Sequence, residues 1–187
     1  MTICSKYRLC CCTPYFLIVA AFLYALIFAD YRLKVFLGAA FSLALSVYGA
    51  SIGIAKSSIA ISQTIAMTEW IKYRHLITIL LSEACAVYGL ILGIVILSRS
   101  NTVDKADWQN PLNSTASYRF LCAGFVCGIC NLITGIGLGE IGGHLALAES
   151  KDPKLFFYFL TILIFIAIIS LYGLVVGMMM IALGEFV

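Results

Sequence analysis

The stretch Gly38-Ala39-Ala40-Phe41-Ser42-Leu43-Ala44-Leu45-Ser46-Val47-Tyr48-Gly49-Ala50-Ser51-Ile52-Gly53-Ile54-Ala55-Lys56-Ser57 decides the reading of the fold. Nearly all of it is apolar or small. Gly38, Ser42, Ser46, Gly49, Gly53 and Ser57 follow one another in steps of four, with one step of three. That spacing sets them on one face of a helix. Lipid supplies no hydrophobic drive between helices, so a ridge of small residues gains its packing energy by letting backbones approach closely.

The ridge returns later in the chain. Gly124, Gly128, Gly135, Gly139 and Gly143 each lie 86 residues after Gly38, Ser42, Gly49, Gly53 and Ser57, while Ser46 has Leu132 as its counterpart. The segments that follow also match. Tyr88-Gly89-Leu90 recurs as Tyr172-Gly173-Leu174, and Gly93 recurs as Gly177. The chain reads as a duplicated helical hairpin, each copy with a glycine-ridged first helix and a bulkier second one.

Composition agrees with a membrane setting. Of 187 residues, 63% are hydrophobic and 11% charged, and the mean hydropathy is +1.05. A soluble domain carries about 45–50% apolar and about 25% charged residues. These values exclude a cytosolic enzyme, a nucleic-acid binder and a disordered chain. The net charge of +3 is spread over short connectors and implies no nucleic-acid partner.

Five segments are long or apolar enough to span: Tyr15–Ala29, Phe36–Ser62, Leu76–Ser98, Tyr118–Ala148 and Leu155–Leu183. The expected architecture is an all-α membrane protein of five transmembrane helices. Residues 1–35 form a tail and an extra first helix. Residues 36–98 form the first hairpin, 99–117 a polar loop, and 118–187 the second hairpin. Lysines and arginines divide almost evenly between the two sides, with a slight excess that favours a cytosolic N-terminus. The sequon Asn113-Ser114-Thr115 then falls on the luminal side.

Glu83 stands in Leu80-Leu81-Ser82-Glu83-Ala84-Cys85, about a third of the way into the third segment. An acidic residue at the centre of a membrane helix costs about 2.5–3.5 kcal/mol on insertion scales, and such residues face a pathway or a partner. Hydrocarbon disfavours the charged form. A carboxyl there can hold a proton in lipid and lose it beside water or a cation. The alternative is a structural hydrogen bond to Ser82 or Tyr88. The second hairpin has Ala167 at the matching position, which leaves one such site per chain.

Glu140 is a second acid within a span. It precedes His144 by four residues, so the two share a helix face and are expected to form a structural or lumen-facing polar pair. Lys56 is expected to reach toward the interface. Cys127-x-x-Cys130 has no second pair, so no metal site is read from it. Cys10, Cys11 and Cys12, beside basic residues at the start of the first span, suit S-palmitoylation. The chain carries no nucleotide-binding or hydrolase motif, so no cofactor and no ATP hydrolysis of its own are expected.

Three stretches carry a family resemblance. They are Ser46-Val47-Tyr48-Gly49-Ala50-Ser51-Ile52-Gly53, Ser82-Glu83-Ala84-Cys85-Ala86-Val87-Tyr88-Gly89, and Asn131-Leu132-Ile133-Thr134-Gly135-Ile136-Gly137-Leu138-Gly139. With them the chain resembles the proteolipid subunits of the rotary vacuolar-type proton ATPase, in particular the five-helix c″ type. The resemblance covers about residues 36–183. It implies a place in a c-ring beside c subunits. It further implies rotation against the static a subunit, which bears half-channels and an arginine, a coupling to central-stalk subunits, and a location in the vacuolar or endomembrane system. It also implies that Glu83, five residues before Tyr88-Gly89, is the proton carrier, and that the Gly49, Gly53, Gly135 and Gly139 ridges pack the inner helices. Glu140 departs from the family pattern, where that helix is apolar. Three other readings compete: an ordinary c subunit, a sodium-pumping rotor of the same fold, and a tetraspan-like structural membrane protein. A sodium site needs several oxygen ligands around the carboxylate. A scaffold has no use for a lone carboxyl facing lipid.

Overall fold

The computed structural model describes residues 30–67, 75–103, 111–149, 151–152 and 154–183. They form four helices: α1 (Tyr31–Met67), α2 (Leu76–Val103), α3 (Pro111–Glu149) and α4 (Leu155–Ala182). All four are long and apolar enough to cross a membrane. Helices satisfy every backbone donor and acceptor internally, which hydrocarbon demands. The expected fifth helix, Tyr15–Ala29, and Cys10–Cys12 lie outside the described residues.

Three helices extend past the expected boundaries. The anticipated connector at residues 30–35 is helical from Tyr31, and α1 continues past Ser62 to Met67. The long polar loop is shortened at both ends, because α2 runs on to Val103 and α3 begins at Pro111. Hydropathy marks only the part of a helix that meets lipid. Outside it, a polar sequence keeps the same intrahelical hydrogen bonds. Proline at the first helical position suits the start of α3, since its missing N–H would have no intrahelical partner there. At about 1.5 Å per residue, α1 and α3 each reach more than about 50 Å, well beyond a hydrocarbon core of about 30 Å.

The two hairpins lie side by side. α1 packs most extensively on α3, α2 leans on α1, and α4 leans on α3. The glycine ridges are the seam. A Cβ on Gly38 would fall 2.6 Å from the Phe120 carbonyl oxygen, and one on Gly49 would fall 2.5 Å from Leu132 Cα. Gly124 meets Gly38, Gly135 meets Gly49, and Gly139 meets Gly53. Duplicated positions therefore touch their own counterparts, level by level along the seam.

Two apolar clusters fill the interior. One gathers Val35, Leu92, Ile96, Phe120, Cys127 and Leu174. The other gathers Cys85, Leu138, Leu145 and Leu163. A buried polar network lies between them along the helices. Asn131 on α3 donates to Ser46 Oγ on α1 at 2.8 Å and accepts from Ser170 Oγ on α4 at 2.6 Å. Ser46 donates to the Ser42 carbonyl, and Ser42 donates to the Gly89 carbonyl on α2. The network ties all four helices together. It also accounts for glycine in the Tyr88-Gly89 pair, because the Ser46 side chain occupies the space a Cβ would need.

Candidate functional site

Glu83 lies in the eighth position of α2 and points out of the bundle. It belongs to an exposed stripe made by Leu76, Leu80, Glu83, Val87, Leu90 and Ile94. The spacing of three and four keeps these residues on one helix face. Every other member is apolar, so the stripe is an outward apolar surface with one carboxyl in it. The neighbouring α4 adds Ile162, Phe165, Ile169 and Tyr172, all exposed. Ala167 stands where the duplicate of Glu83 would be.

The expected alternative, a structural hydrogen bond, is not made. Ser82 turns inward, is fully buried, and donates to the Thr78 carbonyl of its own helix at 3.0 Å. Ser82 and Glu83 are neighbours in sequence but point about 100° apart around the helix. Tyr88 packs against the apolar cluster beside Leu92 and Leu174. Among the described residues, nothing hydrogen-bonds or ion-pairs with Glu83. Its level in the bundle is fixed by Ser82, whose Oγ lies 3.1 Å from where a Gly53 Cβ would be. Glu83 thus sits at the depth where α1 and α3 touch through Gly53 and Gly139.

Glu140 and His144 lie one turn apart on α3 and interact electrostatically, without a hydrogen bond or salt bridge between them. Glu140 Oε1 instead accepts from Lys56 Nζ of α1 at 2.6 Å. The physical reason is the glycine seam. Gly53 and Gly139 bring the α1 and α3 backbones together, so the side chain of Lys56, one turn beyond Gly53, reaches the carboxylate that follows Gly139. Both partners remain about half exposed, and His144 lies exposed one turn further along α3.

One further cluster carries no signal in the sequence. His75, in the turn before α2, and Glu149, the last residue of α3, are fully buried, with Nε2 and Oε2 3.1 Å apart. Both fall at the polar margins of the expected spans. Only the packing of one hairpin on the other brings them together. Among the described residues no group of His, Cys, Asp and Glu could hold a metal ion. Cys85, Cys122, Cys127 and Cys130 are free thiols.

A duplicated hairpin with glycine-ridged inner helices, bulky outer helices and an outward carboxyl on an apolar stripe defines a membrane proteolipid. The chain belongs to the ATP synthase C subunit family, whose model matches it twice, over residues 37–96 and 121–180. The two matches coincide with the α1–α2 and α3–α4 hairpins. The chain is 35% identical over 144 residues to the c″ subunit of the V-type proton ATPase of Saccharomyces cerevisiae, covering 77% of this chain and 68% of that protein. It is 33% identical over 149 residues to the V-type proton ATPase 16 kDa proteolipid subunit of Entamoeba dispar, covering 80% of this chain and 81% of that protein.

Proposed function

We propose that the chain is a proton-conducting rotor subunit of the membrane sector of a V-type proton ATPase, with Glu83 as its proton carrier. One observation carries this reading: the carboxyl stands on the outward apolar stripe of α2, held by no hydrogen bond or ion pair among the described residues. In lipid such a carboxyl keeps its proton, because hydrocarbon penalises the anion. Beside a fixed cation and a water path the anion is favoured and the proton leaves. Rotation that carries Glu83 between the two settings converts turning into transport. The chain supplies the carrier, and ATP hydrolysis takes place elsewhere in the complex.

The duplication supports a ring. On the second hairpin, Gly177 of α4 is covered by Leu92 of α2, 2.9 Å from the position of a Gly177 Cβ. Gly93 is the duplicate of Gly177, yet it lines an open apolar groove with Phe36, Ala39, Leu43, Leu90 and Leu97. The duplicate of Leu92 is Val176, which is 45% exposed. A neighbouring proteolipid can thus place its equivalent of Val176 over Gly93, as Leu92 covers Gly177 within the chain. Such head-to-tail contacts close into rings when the rotation allows. In this reading the neighbours are c subunits. The outer face meets membrane lipid and the a subunit with its arginine and half-channels, and the loop end meets the central stalk. In this reading the complex resides in vacuolar or endomembranes.

The test is acidification by vesicles that carry the assembled complex with Glu83→Gln. Proton pumping is expected to vanish while the ring retains its composition. Normal acidification by the Glu83→Gln complex overturns the assignment.

A further inference from the structure

We propose that the buried network around Asn131 is a partner-selecting contact: it makes the seam of each hairpin accept an unlike hairpin and reject the like hairpin of a second copy of this chain. The shape of the seam makes no such choice. Gly124 meets Gly38, Gly135 meets Gly49 and Gly139 meets Gly53, so each ridge touches the duplicate of itself. A surface that packs on its own duplicate also suits its own copy, as in a two-fold dimer. By shape alone, α1 of one chain can seat on α1 of another, and α3 on α3, with glycine on glycine along the seam.

Polar side chains break this degeneracy. The first hairpin supplies the hydroxyls of Ser42 and Ser46, and the second supplies Asn131 and the Ser170 hydroxyl. All four residues are fully buried. Asn131 Nδ2 donates to Ser46 Oγ at 2.8 Å across the seam, and Asn131 Oδ1 accepts from Ser170 Oγ at 2.6 Å within the second hairpin. None of the four is duplicated. In the second hairpin Leu132 stands in the place of Ser46, and Gly128 in the place of Ser42. In the first hairpin Leu45 and Ala86 stand in the places of Asn131 and Ser170. Each hairpin thus holds half of a network that only the other hairpin completes.

Like pairs lose the bond across the seam. With α3 on α3, Asn131 meets Leu132 in place of Ser46. Its amide group then keeps Cys127 Sγ of its own helix, 3.5 Å away, and sulfur is a weak acceptor. Hydrocarbon offers no water to replace the lost partner. With α1 on α1, Ser46 meets Leu45. Its hydroxyl still donates to the Ser42 carbonyl, so no donor is orphaned, but nothing ties the two helices. An interhelical hydrogen bond of this kind in a membrane shifts an equilibrium by about threefold to thirtyfold. A single buried asparagine selects partners in coiled coils on the same principle. The link between α2 and α3 already keeps the two hairpins of one chain close. The network adds chemical selection to that proximity when other copies crowd the membrane, and it acts independently of proton transfer at Glu83.

The test gives a hairpin the half it lacks. Leu132→Ser places a hydroxyl beside Asn131, so that two second hairpins complete the network together. Leu132→Ala removes the same bulk without adding the hydroxyl. The readout is Förster transfer between two full-length copies with different fluorescent tags, in phospholipid vesicles over a range of protein-to-lipid ratios. Association of Leu132→Ser copies is expected to be tighter than that of Leu132→Ala copies by about threefold or more. In the Asn131→Leu background the gain of serine over alanine is expected to disappear, which a general effect on stability would not produce. Leu45→Asn against Leu45→Ala is the mirror experiment on the first hairpin, with a gain of the same size expected. Equal association of the Leu132→Ser and Leu132→Ala chains overturns the proposal, and so does a gain that survives Asn131→Leu. If the Leu132 variants fail to insert, the Leu45 variants decide alone, and equal association of those two overturns it.

Discussion

Gly139 rests directly on Gly53: a Cβ added to Gly139 would lie 2.6 Å from Gly53 Cα. The obstacle is backbone and cannot rotate away. Replacing Gly139 with Leu forces α1 and α3 apart at the level of Glu83. Overpacking of a yielding core costs about 1–3 kcal/mol, and a clash with backbone falls at or above the top of that range. The Gly139→Leu chain is expected to be absent from purified complexes. Gly137→Leu is the control, because the nearest atom to a Cβ there is a side-chain methyl at 3.7 Å. Equal incorporation of the two variants, measured by the stoichiometry of the purified complex, would contradict the seam.

The Lys56–Glu140 pair makes a prediction of its own. Lys56→Met leaves a carboxylate without its cation within the span, and Glu140→Gln leaves an ammonium without its anion. Each single variant is expected to lower the yield of assembled complex. The double variant is expected to recover most of it, because neither charge remains. The measurement is complex yield in a double-mutant cycle. Additive losses would show that the contact has no energetic meaning.

Asn131 donates to Ser46 and accepts from Ser170 inside the bundle. Asn131→Leu leaves the Ser170 hydroxyl to seek another acceptor. An orphaned buried hydroxyl costs about 1–3 kcal/mol, while removing every polar partner at once is nearly neutral. Thermal unfolding in detergent is expected to show a lower midpoint for Asn131→Leu. Adding Ser46→Ala and Ser170→Ala is expected to restore part of the loss. A single variant as stable as the parent chain would remove the network from the account of stability.

Gly93 tests the head-to-tail reading. The first atom a Cβ there would meet is the Ala39 carbonyl oxygen at 3.6 Å, an ordinary contact. Gly93→Phe can therefore fold as a chain, but it fills the groove reserved for a neighbour. The expected outcome is a membrane-inserted chain excluded from the complex, scored by membrane fractionation and co-purification. A Gly93→Phe chain that enters the complex at normal levels would show that no proteolipid covers this groove.

Much of this architecture was legible in the sequence because membrane helices obey local rules. An uncharged run of about 20 residues marks a span, and a step of three or four marks a face. The ridges from Gly38 to Ser57 and from Gly124 to Gly143 needed only that periodicity, as did the duplication. Glu83 was visible as a carboxyl among apolar neighbours. Helix ends were not, because a helix leaving the membrane carries polar side chains and reads as a loop. Tyr31–Val35 and Pro111–Ser117 were hidden for that reason.

Tertiary structure alone decided which residues meet. A local reading paired Glu140 with His144, four residues on along the same helix. The touching backbones of Gly53 and Gly139 gave it Lys56 on another helix as its hydrogen-bonded partner. His75 and Glu149, 74 positions apart, gave no sequence signal at all and became a fully buried pair. Asn131 showed only as part of a family stretch, and its bonds to Ser46 and Ser170 required three helices in place. The physical reason is one of range. Periodicity and hydropathy report the side of a helix and its solvent, and both are properties of neighbouring residues. Partners across the seam depend on the rotation and register of whole helices, which close glycine contact sets and which no local pattern encodes.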